Sequence, residues 1–138
     1  LPIREAYFRQ GDFSWESGHR CGMDLLRLPE PPTAIFSCNN KMTLGLMRAL
    51  TECGVKCPEY MSVLAFDDFA WSSNFAPQLT AVAQPSHEMG RRAVQLLLST
   101  MDSKTELTTQ KVSETAVVLK AELRVRQSTA PPRRCAPI

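Results

Sequence analysis

Apolar residues along this chain fall alternately into short continuous runs and into stripes of helical period. Residues 4–8, Arg-Glu-Ala-Tyr-Phe, predict a short strand closed by a turn at Gly11-Asp12. Ser14 then reads as the N-cap of a helix whose Gly18, Cys21, Gly22 and Leu25 share one face, small enough to press closely against a sheet. Pro29, Pro31 and Pro32 end that helix, and Ala34-Ile35-Phe36-Ser37-Cys38 predicts a buried strand. Asn39-Asn40 caps a second helix over 41–53, with Met42, Leu46, Ala49, Leu50 and Cys53 on one stripe and Gly54 as its stop. Ser62-Val63-Leu64-Ala65-Phe66 is a further apolar strand, ending abruptly in Asp67-Asp68.

After a loop holding Trp71 and Phe75, residues 79–83 predict a brief strand and Pro85 opens a helix with Met89, Ala93, Leu96 and Leu97 on one face. Residues 102–106 form a polar connection, and residues 116–119 and 123–126 predict the last strands. The Pro-rich end, 130–138, is expected to be disordered. Strands alternating with helices over short connections specify an α/β fold, a mostly parallel sheet flanked by helices. In such sheets ligands gather beyond the carboxyl ends of the strands. The residues expected there are Phe13, Asn39, Asp67 and Gln84.

Those four side chains suit a neutral polyol. A carboxylate accepts from two adjacent hydroxyls, amides both donate and accept, and an aromatic ring packs on the apolar face of a sugar or base. Each also has a plainer reading: Asn39 as a helix cap, Asp67 and Asp68 as turn acids, Gln84 as a crossover residue, Phe13 as edge core. Their common position at strand ends is what groups them. No nucleophile with a base, glycine-rich phosphate loop, G-x-S-x-G elbow or metal pair accompanies them, so no catalytic residue is assigned.

Composition narrows the class. Sixteen basic against fourteen acidic residues give a net charge of +2, spread along the chain apart from Arg133-Arg134, which leaves no electrostatic footprint for nucleic acid. No apolar run reaches the roughly 18–20 residues of a membrane span, so no membrane partner is expected. The five cysteines, Cys21, Cys38, Cys53, Cys57 and Cys135, are odd in number and fall mostly on apolar positions, as suits reduced thiols in a cytoplasmic chain. Cys53 and Cys57 lack a second ligand pair, so neither a metal nor a cofactor is expected. The chain begins at Leu1 without an export signal and reads as a piece of a longer protein.

A longer signature then places it. Pro32-Thr33-Ala34-Ile35-Phe36 with Asn39-Asn40, Met42, Gly45 and Ala49-Leu50 resembles the PTAIF-xx-ND-xMAxGxxxAL segment of the lac/gal repressor family of bacterial transcription regulators. Phe66-Asp67-Asp68, Pro77-x-Leu79-Thr80-x-Val82-x-Gln84-Pro85 and Leu123-Arg124-Val125-Arg126-Gln127-Ser128-Thr129 continue the resemblance over residues 5–129. It implies an incomplete periplasmic-binding-protein-like type I fold, residues 1–129 being the C-terminal part of a two-lobed effector domain. Residues 85–101 would then be a helix that normally packs on a first lobe. The resemblance also implies Phe13, Asn39, Asp67 and Gln84 as effector contacts, a sugar-like effector, and operator DNA bound only through a helix-turn-helix head absent from this chain. It further implies a homodimer through the second helix and the loop after Asp68, with Leu44, Met47, Trp71 and Phe75 expected at the contact; helical spacing puts Leu44 and Met47 on a face other than the core stripe. Two positions depart from the family pattern: Asn40 stands for the usual Asp, and Ala65 for the usual Gly. Other readings are a lobe of an exported sugar-binding protein, an α/β enzyme or receiver using Asp67 and Asp68, and a purely dimerising fragment.

Overall fold

A computed structural model of the chain describes residues 4–102 and 116–132. It divides into two units, residues 1–83 with 123–138, and residues 84–122.

The first unit is built on parallel strands β1 (Ala34–Ser37), β2 (Ser62–Phe66) and β3 (Thr80–Ala83). Ala34 pairs with Ser62 and Ser37 with Ala65, while Leu64 pairs with Thr80 and Phe66 with Val82. A short β4 (Glu122–Arg124) follows β3 in the sheet order β1-β2-β3-β4. Helix α1 (Trp15–Leu26) starts where predicted, the Ser14 side chain accepting from the Ser17 N–H. Helix α2 (Asn40–Glu52) starts on Asn39, whose side chain accepts from Met42 N–H.

The small face of α1 meets a helix rather than the sheet. A Cβ on Gly18 would collide with the backbone of Met42, and one on Gly45 would collide with the Trp15 carbonyl. Glycine on both sides therefore lets the two backbones approach more closely than side chains allow. Gly22 continues the seam against Leu46 and Ala49. Because α2 is covered by α1 as well as lying over the strands, its buried face is wider than one stripe: Thr43, Gly45, Leu46, Met47, Ala49 and Leu50. Cys53, expected on the buried stripe, is exposed. The core comprises Leu46, Met47, Leu50, Met61, Val63 and Leu79, with Ile35, Val55 and Trp71 packed on it.

The segment after β4 is stitched into the sheet. Ser128, fully buried, donates through Oγ to Val63 O at 2.7 Å and accepts there from Thr80 N–H at 2.8 Å. Ser62 Oγ accepts from Ala130 N–H at 3.0 Å, so the chain is held at the first residue of the expected disordered end. Residues 133–138 lie outside the described residues.

Two predicted strands are not formed. Glu5–Tyr7 is a 3-10 turn, with Tyr7 N–H on Arg4 O and Phe8 N–H on Glu5 O, and Tyr7 Oη donates to Glu30 O at 3.1 Å. These local bonds replace a ladder. Residues 116–119 are irregular, with Val118 92% exposed: apolar composition alone does not make a strand, and among the described residues no strand pairs with this stretch. The polar connection expected over 102–106 falls, beyond Asp102, outside the described residues.

In the second unit, α3 (Ser86–Asp102) carries Glu88 paired with Arg91 at 2.6 Å and Arg92 at 2.9 Å. Its predicted apolar face of Met89, Ala93, Leu96 and Leu97 is exposed, as are Leu98 and Met101. No helix among the described residues is long and apolar enough to cross a membrane.

Candidate functional site

Parallel pairing puts the ends of β1 and β2 at one edge of the sheet. Ser37 lies opposite Ala65; Asn39 follows β1 by two residues and Asp67 follows β2 directly. The turn before α1 reaches the same place through Asn39, whose Nδ2 donates to Phe13 O at 3.2 Å while its Oδ1 accepts from Met42 N–H at 2.8 Å. The cap reading of Asn39 is thus realised, and its second amide hydrogen is left for another acceptor. Gln84 directly follows β3 and begins the second unit.

Local bonds shape the turn that presents Phe13. Both the N–H and the hydroxyl of Ser14 donate to Asp12 Oδ1, and Ser17 Oγ accepts from Asp12 N–H at 3.2 Å. The Ser14 hydroxyl chiefly, with Ser17 and the Ser14 N–H, holds the Asp12 carboxyl well below the usual carboxylate range. Between these anchors Phe13 adopts φ 64° and is 63% exposed. Asp67 is the second non-glycine residue at positive φ among the described residues, at 75°, and its N–H donates to Val82 O at 3.0 Å. For a bulky residue that region is an outlier, and such backbone states concentrate at binding and catalytic sites.

The adjacent Asp68 has a different environment that sequence reading did not anticipate. Its side chain is 3% exposed and bonded to Arg126 at 2.8 Å and Arg124 at 2.7 Å. Hydrogen bonding from Arg126, outweighing burial and helped by Arg124, brings its pKa down to about 2. The signal was present in Leu123-Arg124-Val125-Arg126, where a spacing of two puts both guanidinium groups on one face of extended chain.

The expected subunit-contact residues separate. Leu44 is 41% exposed, whereas Met47 is 8% exposed and belongs to the core, so it does not lie outside the core stripe as predicted. Trp71 and Phe75 are half-buried against that core, their rings 5.5 Å apart, and the exposed aromatic of the loop is Phe69, stacked on Trp71 at 5.8 Å. Asn40 Oδ1 is buried without a hydrogen-bond partner among the described residues, and Ala65 is buried in β2. Among those residues no group of three or more His, Cys, Asp or Glu is arranged to hold a metal.

A sheet whose first three strands run parallel, with α1 and α2 packed beside it, is the scaffold of a periplasmic-binding-protein-like lobe. Residues 1–129 match the family model described as periplasmic binding protein-like domain, and the chain belongs to that family. Within it the resemblance is to regulators of the LacI type. The chain is 37% identical over 129 residues, 94% of its length, to the HTH-type transcriptional repressor CytR of Escherichia coli (strain K12), of which it spans 36%. Among solved structures, a LacI family transcriptional regulator from Enterococcus faecium with bound ribose superposes with a TM-score of 0.72 at 30% identity, over 88% of this chain and 42% of that one. The lac repressor dimer bound to operator and the anti-inducer ONPF superposes at 0.71 and 33% identity, over 89% and 41%. The chain therefore spans well under half the length of each.

Proposed function

We propose that this chain is the effector-sensing part of a LacI-type transcription regulator, with the carboxyl ends of β1, β2 and β3 forming one wall of a cleft for a sugar or another small polar ligand. The observation that carries this reading is the coincidence of unusual backbone with chemistry. Phe13 and Asp67, both selected for what they can do to a polyol, are the two non-glycine residues held at positive φ among those described. Asn39, bonded to Phe13 just beyond β1, supplies the amide, and Gln84, directly after β3, the fourth contact. The ribose in the Enterococcus faecium relative supports the ligand class.

The rest of the regulator follows from the same reading. The exposed apolar face of α3 is the surface that a first lobe covers. Operator DNA is met by a helix-turn-helix head that these residues do not contain, and the protein works in the cytoplasm without catalysing a reaction. Subunits associate through the exposed side of α2, with Leu44 at the contact and Trp71 and Phe75 backing the neighbouring loop.

A chimaera in which these residues replace the matching part of CytR tests the proposal. Its affinity for the CytR operator, read by fluorescence anisotropy, should change on adding ribose, sucrose or a related polyol. A folded, operator-binding chimaera indifferent to a panel of sugars and nucleosides would refute effector sensing.

A further inference from the structure

Asp67 and Asp68 are chemically alike and adjacent, and the Asp68 side chain is held between two arginines. Arg126 grips the Asp68 carboxylate with both fork nitrogens, Nη1 on Oδ1 and Nη2 on Oδ2, each at 2.8 Å, and Arg124 Nη1 donates to Oδ2 at 2.7 Å. A bidentate guanidinium fixes the orientation of a carboxylate as well as its position. The clamp is itself anchored. Arg126 Nη1 donates to Leu79 O at 2.7 Å, Arg126 N–H donates to Thr80 Oγ1 at 2.9 Å, and two residues on Ser128 ties the segment to β2 and β3.

The consequence falls on the residue in between. The Asp67 N–H is fixed to Val82 O on β3, and the side chain that follows is fixed by Arg126. The chain turns through φ 75° at Asp67 between these two attachments, a left-handed conformation that Asp accepts more readily than most residues and that the attachments on either side select. We propose that Asp68 is a positioning residue of the effector site: through Arg126 and Arg124 it holds the left-handed turn that carries the Asp67 carboxylate. With 3% of its side chain exposed, Asp68 does not touch the effector but acts through the backbone. The Arg126 hydrogen bonds hold the Asp68 pKa down to about 2, so the clamp is ionised at neutral pH. This inference rests on the reading of Asp67 as an effector ligand.

The test has two readouts, an NMR spectrum of the chain and calorimetric titration of ribose and sucrose into the CytR chimaera. In the unmodified chain Asp67 should give the strong intraresidue NH–Hα cross-peak of a left-handed residue. Asp68→Asn should weaken that cross-peak, leave the methyl signals of Leu50, Val63 and Leu79 in place, and lower sugar affinity by about 10-fold, equivalent to about 1.4 kcal/mol. Arg126→Lys keeps the charge but loses the fork, and should fall between the two. If Asp68→Asn loses the core methyl signals, Arg126→Lys carries the comparison. An unchanged cross-peak with unchanged affinity overturns the proposal. Asp67→Asn is the control: if it leaves affinity unaltered, the effector role of Asp67 fails, and the cross-peak in Asp68→Asn alone decides whether Asp68 holds the turn.

Discussion

Helices α1 and α2 share with α3 the same kind of apolar periodicity and meet opposite fates. In the first pair glycines meet backbone, Gly18 against Met42 and Gly45 against Trp15, and the stripe residues Leu25, Leu46 and Leu50 are buried. In α3, Leu97, Leu98 and Met101 remain more than half exposed. Periodicity reports that a face needs cover, and only the rest of the molecule determines what covers it. The small residues of α1 were visible in the sequence, but that their partner is α2 and not the sheet depends on tertiary placement.

Perturbing the closely packed seam should break the comparison most. Gly45→Ala or Gly18→Ala forces two backbones apart and should cost about 3 kcal/mol, measured by urea denaturation. Met47→Lys should cost at least about 3 kcal/mol, since it removes a core side chain and introduces a charge. Leu44→Lys should leave the fold intact and instead shift the monomer–dimer equilibrium of the chimaera in sedimentation. Equal destabilisation by the two lysines would mean that α2 buries a different face.

The Asp68 clamp should have an intermediate effect and a pH signature. Its folded pKa lies below the ordinary Asp value, so its stabilisation is complete above about pH 4 and disappears as pH falls through about 2. The contribution is about 2 kcal/mol, and Asp68→Asn should remove it along with that part of the acid dependence. Denaturation midpoints at pH 5 and pH 2.5 for both chains provide the measurement. The smallest effect belongs to α3, where Leu97→Lys should change the stability of the first unit by less than about 0.5 kcal/mol. A larger loss would make α3 part of the same cooperative core.

Much of this architecture was legible because it is written in short-range chemistry. Ser14 and Asn39 as caps and the apolar run from Ser62 to Phe66 are local signals, and each formed as predicted. Residues 4–8 and 116–119 failed because a strand needs a neighbour, which no stretch of its own sequence provides. The site was half legible. Residue type and the ends of β1 and β2 suggested Asn39 and Asp67 as candidates, and Phe13 was expected beyond a strand that does not form; the Asp68 clamp depends on Arg124 and Arg126, more than 50 positions further on.

The account depends most on Asp67 as the residue that holds the effector. Titrating ribose and sucrose calorimetrically into the CytR chimaera and its Asp67→Asn variant measures this directly. Loss of hydrogen bonds to a charged group should weaken binding by about 10- to 100-fold with the fold unchanged. Affinity equal in the two proteins would contradict the claim and remove Asp67 from the site.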